Sequence, residues 1–440
     1  MGAITEFIFN KYNQIFGRKQ EFEELLKAHD IDGVKSRMLY RGIEAEMAWN
    51  EYKASEHKIM HRPDKIVKRK NGDRDGIETT AKLAVPYQKI INEMAVVFLY
   101  GRPVKWLQTS DGTDEAFQAF NEVLQKVHFD AKIRQCKRIA GSETQSALLF
   151  RVFRNDEGQA DIQARVLAAS KGDEIYVRWD IYENIDAIAW GYRTKEQQDK
   201  VVYHFDVYTK DMIYRCSQLS VGWSVVEENN FIGKIPIILF EQEKEWEGVQ
   251  NMIERVEEKI SHDADVNDYF SDPMLMLAAD YIKNLPEKKT DNKTLIYKGE
   301  KSIGEIASYL TWDSAPQSKK DELDNLETQI FRGTFTPQIS LDTLKSLGNL
   351  SGKALRTVMM QADLQASVNK ELHDDMLDRT ASLITTIIGN VLDVALYQQC
   401  KDLKIAHRWQ EPFGEDTQAD IDNIIKVYDG GLISEETAIE

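Results

Sequence analysis

Residues 244–272 read KEWEGVQNMIERVEEKISHDADVNDYFSD, and the organisation of the chain is laid out on either side of them. Apolar residues recur at Trp246, Val249, Ile253, Val256, Ile260, Ala264 and, less strictly, Phe270, a stripe repeating about every 3.5 residues. That spacing predicts one helix over the whole stretch, roughly 40 Å long at 1.5 Å per residue. A neighbouring face carries Glu247, Glu254, Glu258, Asp265 and Asp268. From Glu241 to Phe270 ten acids stand against three bases, Lys244, Arg255 and Lys259, a net of −7. A solvated acidic face is the plainest reading of such a helix.

Upstream the period is different. Residues 146–240 are rich in Val, Ile, Tyr, Phe and Trp, with alternation interrupted by turns. Strands are predicted at Ala147–Phe153, Ala160–Leu167, Glu174–Trp179, Ala187–Tyr192, Val201–Tyr208, Gly222–Glu227 and Ile235–Phe240, an antiparallel β region. Before it come helices at Asp114–Val127 and Asp130–Gly141, a short strand at Pro103–Thr109, and an apolar helical run at Leu83–Tyr100 stopped by Gly101-Arg102-Pro103. Asn-Gly and Asp-Gly between Arg62 and Gly76 predict a hairpin turn. The first fifty residues read as short amphipathic helices.

Downstream the chain is mixed from Pro273 to Pro316, with strand candidates at Leu295–Tyr297 and Ser308–Trp312. Six lysines against three acids reverse the local charge between Lys283 and Lys301. A second helix is predicted at Gln317–Phe331, then a Gly- and Pro-punctuated loop at Thr334–Leu350. Ser351 is placed to cap a helix of about forty residues, long enough to require packing against neighbours or a kink. A further helix is predicted near Ala419–Tyr428, before a Gly430-Gly431 stop.

Composition bounds the function. The 440 residues carry 73 acidic and 56 basic side chains, a net charge of −17, with 42% hydrophobic residues, enough for two or three packed units. Cys136, Cys216 and Cys400 lie far apart with no CxxC, which predicts reduced, buried thiols and neither a disulfide framework nor a zinc ribbon. The first residues lack a basic start before an apolar core, and no run approaches the ~18 apolar residues of a membrane span. The expectation is a protein made and kept in the cytoplasm, with no membrane partner. The acidity disfavours nonspecific adhesion to nucleic acid but not a surface past which DNA slides.

The motifs that could carry chemistry fail on spacing. Asn71, Asp73, Asp75 and Gly76 open a calcium loop, but its twelfth position is Lys82; Asp263, Asp265 and Asn267 lead to Asp268 in the glycine place and Met274 at twelve. Gly348–Lys353 has three residues between its glycines where a phosphate loop has four, and Ala354 replaces the Ser or Thr that would hold Mg²⁺. His57 and His61 are one helical turn apart without an HExxH glutamate or a third ligand, and read as a surface pair. No metal or cofactor is expected, and no catalytic residue is assigned.

Three stretches in this order resemble the portal protein family of tailed bacteriophages, of the long-tailed, Gram-positive-phage type. They are Val85–Val104 with its Tyr100-Gly101-Arg102-Pro103, Gly233–Phe240 followed by the acidic helix with Asn267-Asp268, and Gly348-Asn-Leu-Ser-Gly-Lys-Ala-Leu355. A fourth, weaker match runs from Trp409 to Glu436. The resemblance implies a non-enzymatic α+β subunit with an α/β wing (1–243), a stem of long helices (244–272 and 317–333), a small mixed clip (273–316), a channel loop (334–350), a long wing helix (351–390) and a helical crown (391–440).

It further implies a homo-oligomeric ring, usually of twelve copies, at one capsid vertex of the virion, assembled in the host cytoplasm. Double-stranded DNA would pass through its channel. Its partners would be the terminase packaging motor, the head-to-tail adaptor, and the major capsid and scaffolding proteins. Candidate DNA-facing residues are Thr343, Lys345, Ser346, Asn349 and Lys353; Lys283, Lys288, Lys289 and Lys293 are candidates for partner docking, and the stem acids named above for lining the DNA path. Two other readings are an acidic, metal-dependent hydrolase or nuclease with a carboxylate site in the β region, and a scaffold or adaptor without a channel loop.

Overall fold

The computed structural model describes residues 19–67, 76–195, 201–220, 222–271, 274–278, 294–297, 307–310, 316–338 and 352–410. The chain is α+β and divides into two compact units. One comprises Met1–Trp49, Gln88–Glu247 and Phe335–Glu440; the other comprises Asn50–Tyr87 and Gly248–Thr334. Residues 50–87 thus fold with the unit that holds the acidic helix.

The first unit is built in four layers. Helices α1 (Lys19–Lys27) and α2 (Ile31–Ser36) cover one face of a six-stranded sheet. Its strands, in spatial order, are β1 (Leu39–Tyr40), β7 (Glu174–Trp179), β8 (Ile185–Lys195), β9 (Val201–Tyr208), β10 (Met212–Leu219) and β11 (Gly222–Asn229), all antiparallel. Helix α3 (Gly42–Tyr52) follows β1. A three-stranded antiparallel sheet packs on the other face in the order β12 (Ile237–Glu241), β5 (Gln145–Arg154) and β6 (Ala160–Leu167). The outer layer holds α4 (Tyr87–Tyr100), α5 (Asp114–Lys126), α6 (Phe129–Glu143) and α9 (Gly352–Ile387). A two-stranded sheet of β4 (Lys105–Gln108) and β16 (Ile405–Arg408), with α10 (Tyr397–Asp402) before it, closes the edge.

The layering follows from the pleat, because successive side chains on a strand point to opposite faces. On β8, Ala187 and Ala189 face α1 and α2, whereas Ile188 and Trp190 face the second sheet. On β5 and β12, Ala147, Leu149, Ile237 and Leu239 face the first sheet, and Leu148, Phe150, Ile238 and Phe240 face the helices. The expected antiparallel β region is present, and β10 is an addition to it. Its sequence, MIYRCSQL, alternates only around Tyr214 and Cys216, the two residues it buries, and apolar Met212 and Ile213 are adjacent; register against β9 and β11 makes it a strand. All three cysteines are free and buried, as expected.

Helix α9 runs 36 residues and ends in a π turn at Ile388–Leu392, where Asn390 donates to the Ile232 carbonyl. Residues 396–409 return to the helical layer: Leu396, Ile405 and Trp409 pack on its core, and His407 sits 2.9 and 3.0 Å from Asp374 and Asp378 of α9. Burial, with the Lys137 charge adding to it, pushes His373 well below the usual histidine range. Its ring is therefore neutral, with Nδ1 2.9 Å from the Tyr100 hydroxyl.

A charged network ties α6, α9 and the segment after β12. Lys137, fully buried, donates to Gln242 and Glu245, and Gln365 of α9 donates to the other Glu245 oxygen. Burial lowers the Lys137 pKa against the opposing pull of Glu245. A Cβ at Gly141 would lie 2.2 Å from Asn92 Oδ1, so a larger residue there would have to displace that buried side chain.

In the second unit, β2 (Lys65–Val67) and β3 (Gly76–Glu78) pair antiparallel, as the expected hairpin requires; its turn lies outside the described residues. Helices α7 (Gln250–Ser271) and α8 (Pro316–Gly333) pack on each other. A small mixed sheet has β13 (Met274–Ala278) between β14 (Thr294–Tyr297), parallel, and β15 (Ala307–Leu310), antiparallel. No helix among the described residues is long and apolar enough to cross a membrane.

Removing one partner of a buried ion pair strands the other charge, at a cost of about 3–5 kcal/mol. Lys137→Ala is therefore expected to lower the thermal and urea midpoints of the first unit sharply, whereas Lys126→Ala, which removes a half-exposed partner of Asp161, should shift them by less than about 1 kcal/mol.

Candidate functional site

Residues 244–272 form a shorter helix than their apolar periodicity implies. Turns occupy residues 245–249, and α7 begins at Gln250, so its 22 residues span about 33 Å. The cause is Gly248, whose φ of +82° no right-handed helix accommodates. Trp246 is fully buried but belongs to the turn. Glu247 also precedes the helix and lies 3.5 Å from Lys244.

One side of α7 receives the backbone of residues 81–85. The N–H groups of Val85, Leu83 and Ala81 donate to Glu257 Oε1 (2.9 Å), Ser261 Oγ (2.9 Å) and Asp265 Oδ1 (2.7 Å). Alternate amides on an extended chain repeat about every 6.6 Å, and side chains four apart on a helix about every 6 Å, so the two ladders run in register. Pro86 favours the extended form by excluding Val85 from the helical region. His57 Nδ1 lies 2.5 Å from Glu257, and both side chains are buried. Lys58 pairs with Glu254 at 2.8 Å, and Arg62 and Lys65 flank Asp265 at 2.9 and 3.7 Å. Burial raises the Asp265 pKa, but the Ala81 amide and the two bases outweigh it and leave the carboxyl below its usual range.

The other side faces α8. Arg255 and Lys259 both reach Glu322, at 3.4 and 2.8 Å, and Lys319 reaches Asp263 at 2.6 Å. Glu258, largely exposed, pairs with Arg255 at 2.7 Å. The five acids named for one face are thus distributed: Asp265 is buried in a backbone ladder, Glu254 is engaged with Lys58, Glu258 and Asp268 lie toward solvent, and Glu247 is off the helix.

His57 departs from the reading as a surface pair with His61: the 3₁₀ turns at Ala54–Glu56 and Lys58–His61 bury it against Glu257, while His61 stays exposed. No local pattern announced Glu257, Ser261 and His57 as structural, because their partners lie more than 170 residues away in sequence. Thr343, Lys345, Ser346 and Asn349, and the lysines 283, 288, 289 and 293, lie outside the described residues. Lys353 falls in the first turn of α9, and its side chain is likewise outside them.

Three carboxylates of the β region, Asp173, Glu174 and Asp206, are engaged in hydrogen bonds that hold the sheet. Asp173 accepts from Trp190, Arg165 and the Ala168 amide, Asp206 from Arg215, and Glu174 from Tyr203. Among the described residues no group of three or more His, Cys, Asp or Glu is placed to hold a metal ion.

Because the folded Asp265 pKa is depressed, the stability it supplies is complete above the unfolded value near 4 and is lost as pH falls through the folded one. Asp265→Asn should therefore lower the melting temperature at pH 7. The gap from the parent should close below about pH 4, as read by calorimetry across pH 3–8.

A family model described as phage portal protein, SPP1 Gp6-like, matches residues 11–440. No curated protein matches the chain. With nearly the whole length matched, on an α+β structure, the chain belongs to the SPP1 Gp6-like phage portal protein family.

Proposed function

We propose that this protein is the ring-forming subunit of a portal at one capsid vertex, and that double-stranded DNA is packaged and ejected through its central channel. The observation that carries the reading is the family match over residues 11–440. The family is structural, and membership implies a ring oligomer with a DNA-channel role in the virion capsid. On this reading residues 1–243 form most of the wing, and 244–272 with 317–333 the stem. The clip is 273–316, where Lys283, Lys288, Lys289 and Lys293 would meet the terminase motor and the head-to-tail adaptor. The channel loop is 334–350, the long wing helix 351–390 and the crown 391–440.

The charge distribution of α7 and α8 supports a conduit. A stem has to be stiff, and three ion pairs join α7 to α8. A conduit must also avoid gripping phosphate. The acids of α7 that remain toward solvent, Glu258 and Asp268, repel it, and screening limits that repulsion to about 8–10 Å at physiological salt. Lys345 and Lys353 would make the transient phosphate contacts near the constriction.

Light scattering on the purified protein, with negative-stain images of the same peak, tests the reading. Rings with a central hole and a mass about twelve times 50.6 kDa are expected. A compact dimer that hydrolyses DNA when given Mg²⁺ or Mn²⁺ overturns it.

A further inference from the structure

Helix α9 is apolar on two opposite faces. One face is inside the first unit, where Ala362 and Ala366 pack with Phe98 and Met94 of α4, and His373 and Leu377 are buried further along. Helical geometry puts Met360, Leu364, Val368 and Leu372 on the other side, each four residues from the next, and they are 58, 51, 70 and 39% exposed. Four apolar side chains in one row over three turns are more than scattered surface hydrophobics, and such a row marks a surface that is covered in the working protein. Glu371 and Asp375, both exposed, flank its C-terminal end, and neither takes part in an ion pair among the described residues.

Helix α4 offers a second, different surface. Ile90 and Val97, 44 and 50% exposed, lie one above the other seven residues apart. Lys89 and Arg102 are exposed at its two ends, with no ion pair among the described residues. One chain therefore carries an apolar row edged with free acids and, on another helix, an apolar pair edged with free bases. A head-to-tail contact between identical subunits requires two unlike, complementary patches on each copy. Copies that each carry a net charge of −17 also need a seam where acid does not meet acid.

We propose that the Met360, Leu364, Val368 and Leu372 row of one copy docks on the Ile90 and Val97 face of α4 in the next copy, with Glu371 and Asp375 toward Lys89 and Arg102. This rests on the ring reading above and names the seam within it. The occupant is a second copy of this chain.

The experiment measures ring content of the full chain by light scattering and negative stain, with circular dichroism and thermal melting to confirm folding. Leu364→Glu with Val368→Glu is expected to reduce rings roughly tenfold or more while the melting temperature holds, because the changed positions face solvent in the single subunit. Glu371→Lys with Asp375→Lys should also reduce rings, and adding Lys89→Glu with Arg102→Glu should restore them, a reversal that a folding defect would not give. Rings of undiminished yield in the Leu364/Val368 variant overturn the seam and leave the ring reading standing. Loss in the charge variant without restoration overturns the pairing of α9 with α4. A parent protein that forms no rings overturns the ring reading, and the seam with it.

Discussion

A sheet buried on both sides obliges every strand to carry two apolar sets, one per face, and that requirement organises the larger unit of this protein. The pleat sends Ala187 and Ala189 one way and Ile188 and Trp190 the other, so the six-stranded sheet faces helices on one side and a second sheet on the other. The second sheet repeats the arrangement through β5 and β12 and presents Leu148, Phe150, Ile238 and Phe240 to the helical layer. The long helix α9 packs in that layer through Leu377, Ala381, Ile384 and Ile387. Its hold there is also polar, through Gln365 to Glu245 and through His373 beside Tyr100.

The smaller unit answers a different demand. Backbone amides taken out of water must find acceptors, and among the described residues no strand pairs with residues 81–85 to supply any. Glu257, Ser261 and Asp265 of α7 provide acceptors at a spacing the extended chain can match. Acids that read as a solvated face are in part a structural ladder, and the bases that pair with Glu254 and Asp265, namely Lys58, Arg62 and Lys65, come from residues 58–65, upstream of the segment being held. The opposite side of α7 is braced by α8 through Glu322, Lys319 and Asp263. The helix is secured along two sides, and most of its acids are paired within the unit.

For a portal, these arrangements divide the labour between rigidity and assembly. Side chains that a single subunit needs are buried and paired, as Lys137 and Glu257 are. The apolar row on α9, which the proposed seam would cover, stands exposed on one copy. That contrast separates the packing of one subunit from the surfaces left for its neighbours.

The amino-acid sequence by itself determined the mixed α+β class, most strands of the β region, the stop of α4 at Gly101, the long helix after residue 351, the antiparallel pairing of β2 with β3, and the family, because each is written in local periodicity, turn chemistry or short motifs. Local pattern misled where a single backbone angle or a distant partner decided the outcome. Gly248 breaks an apolar period that would otherwise run on from Trp246. Strand β10 holds apolar residues (Met212, Ile213, Tyr214, Cys216, Leu219) that do not alternate along its whole length, and its register with two neighbours makes it a strand. His57 is buried because Glu257 lies two hundred residues away along the chain and directly beside it in space. Only the tertiary structure could decide those three, and with them which acids of α7 bind backbone and which face solvent, since a side chain's role is set by what folding brings within about 3 Å of it.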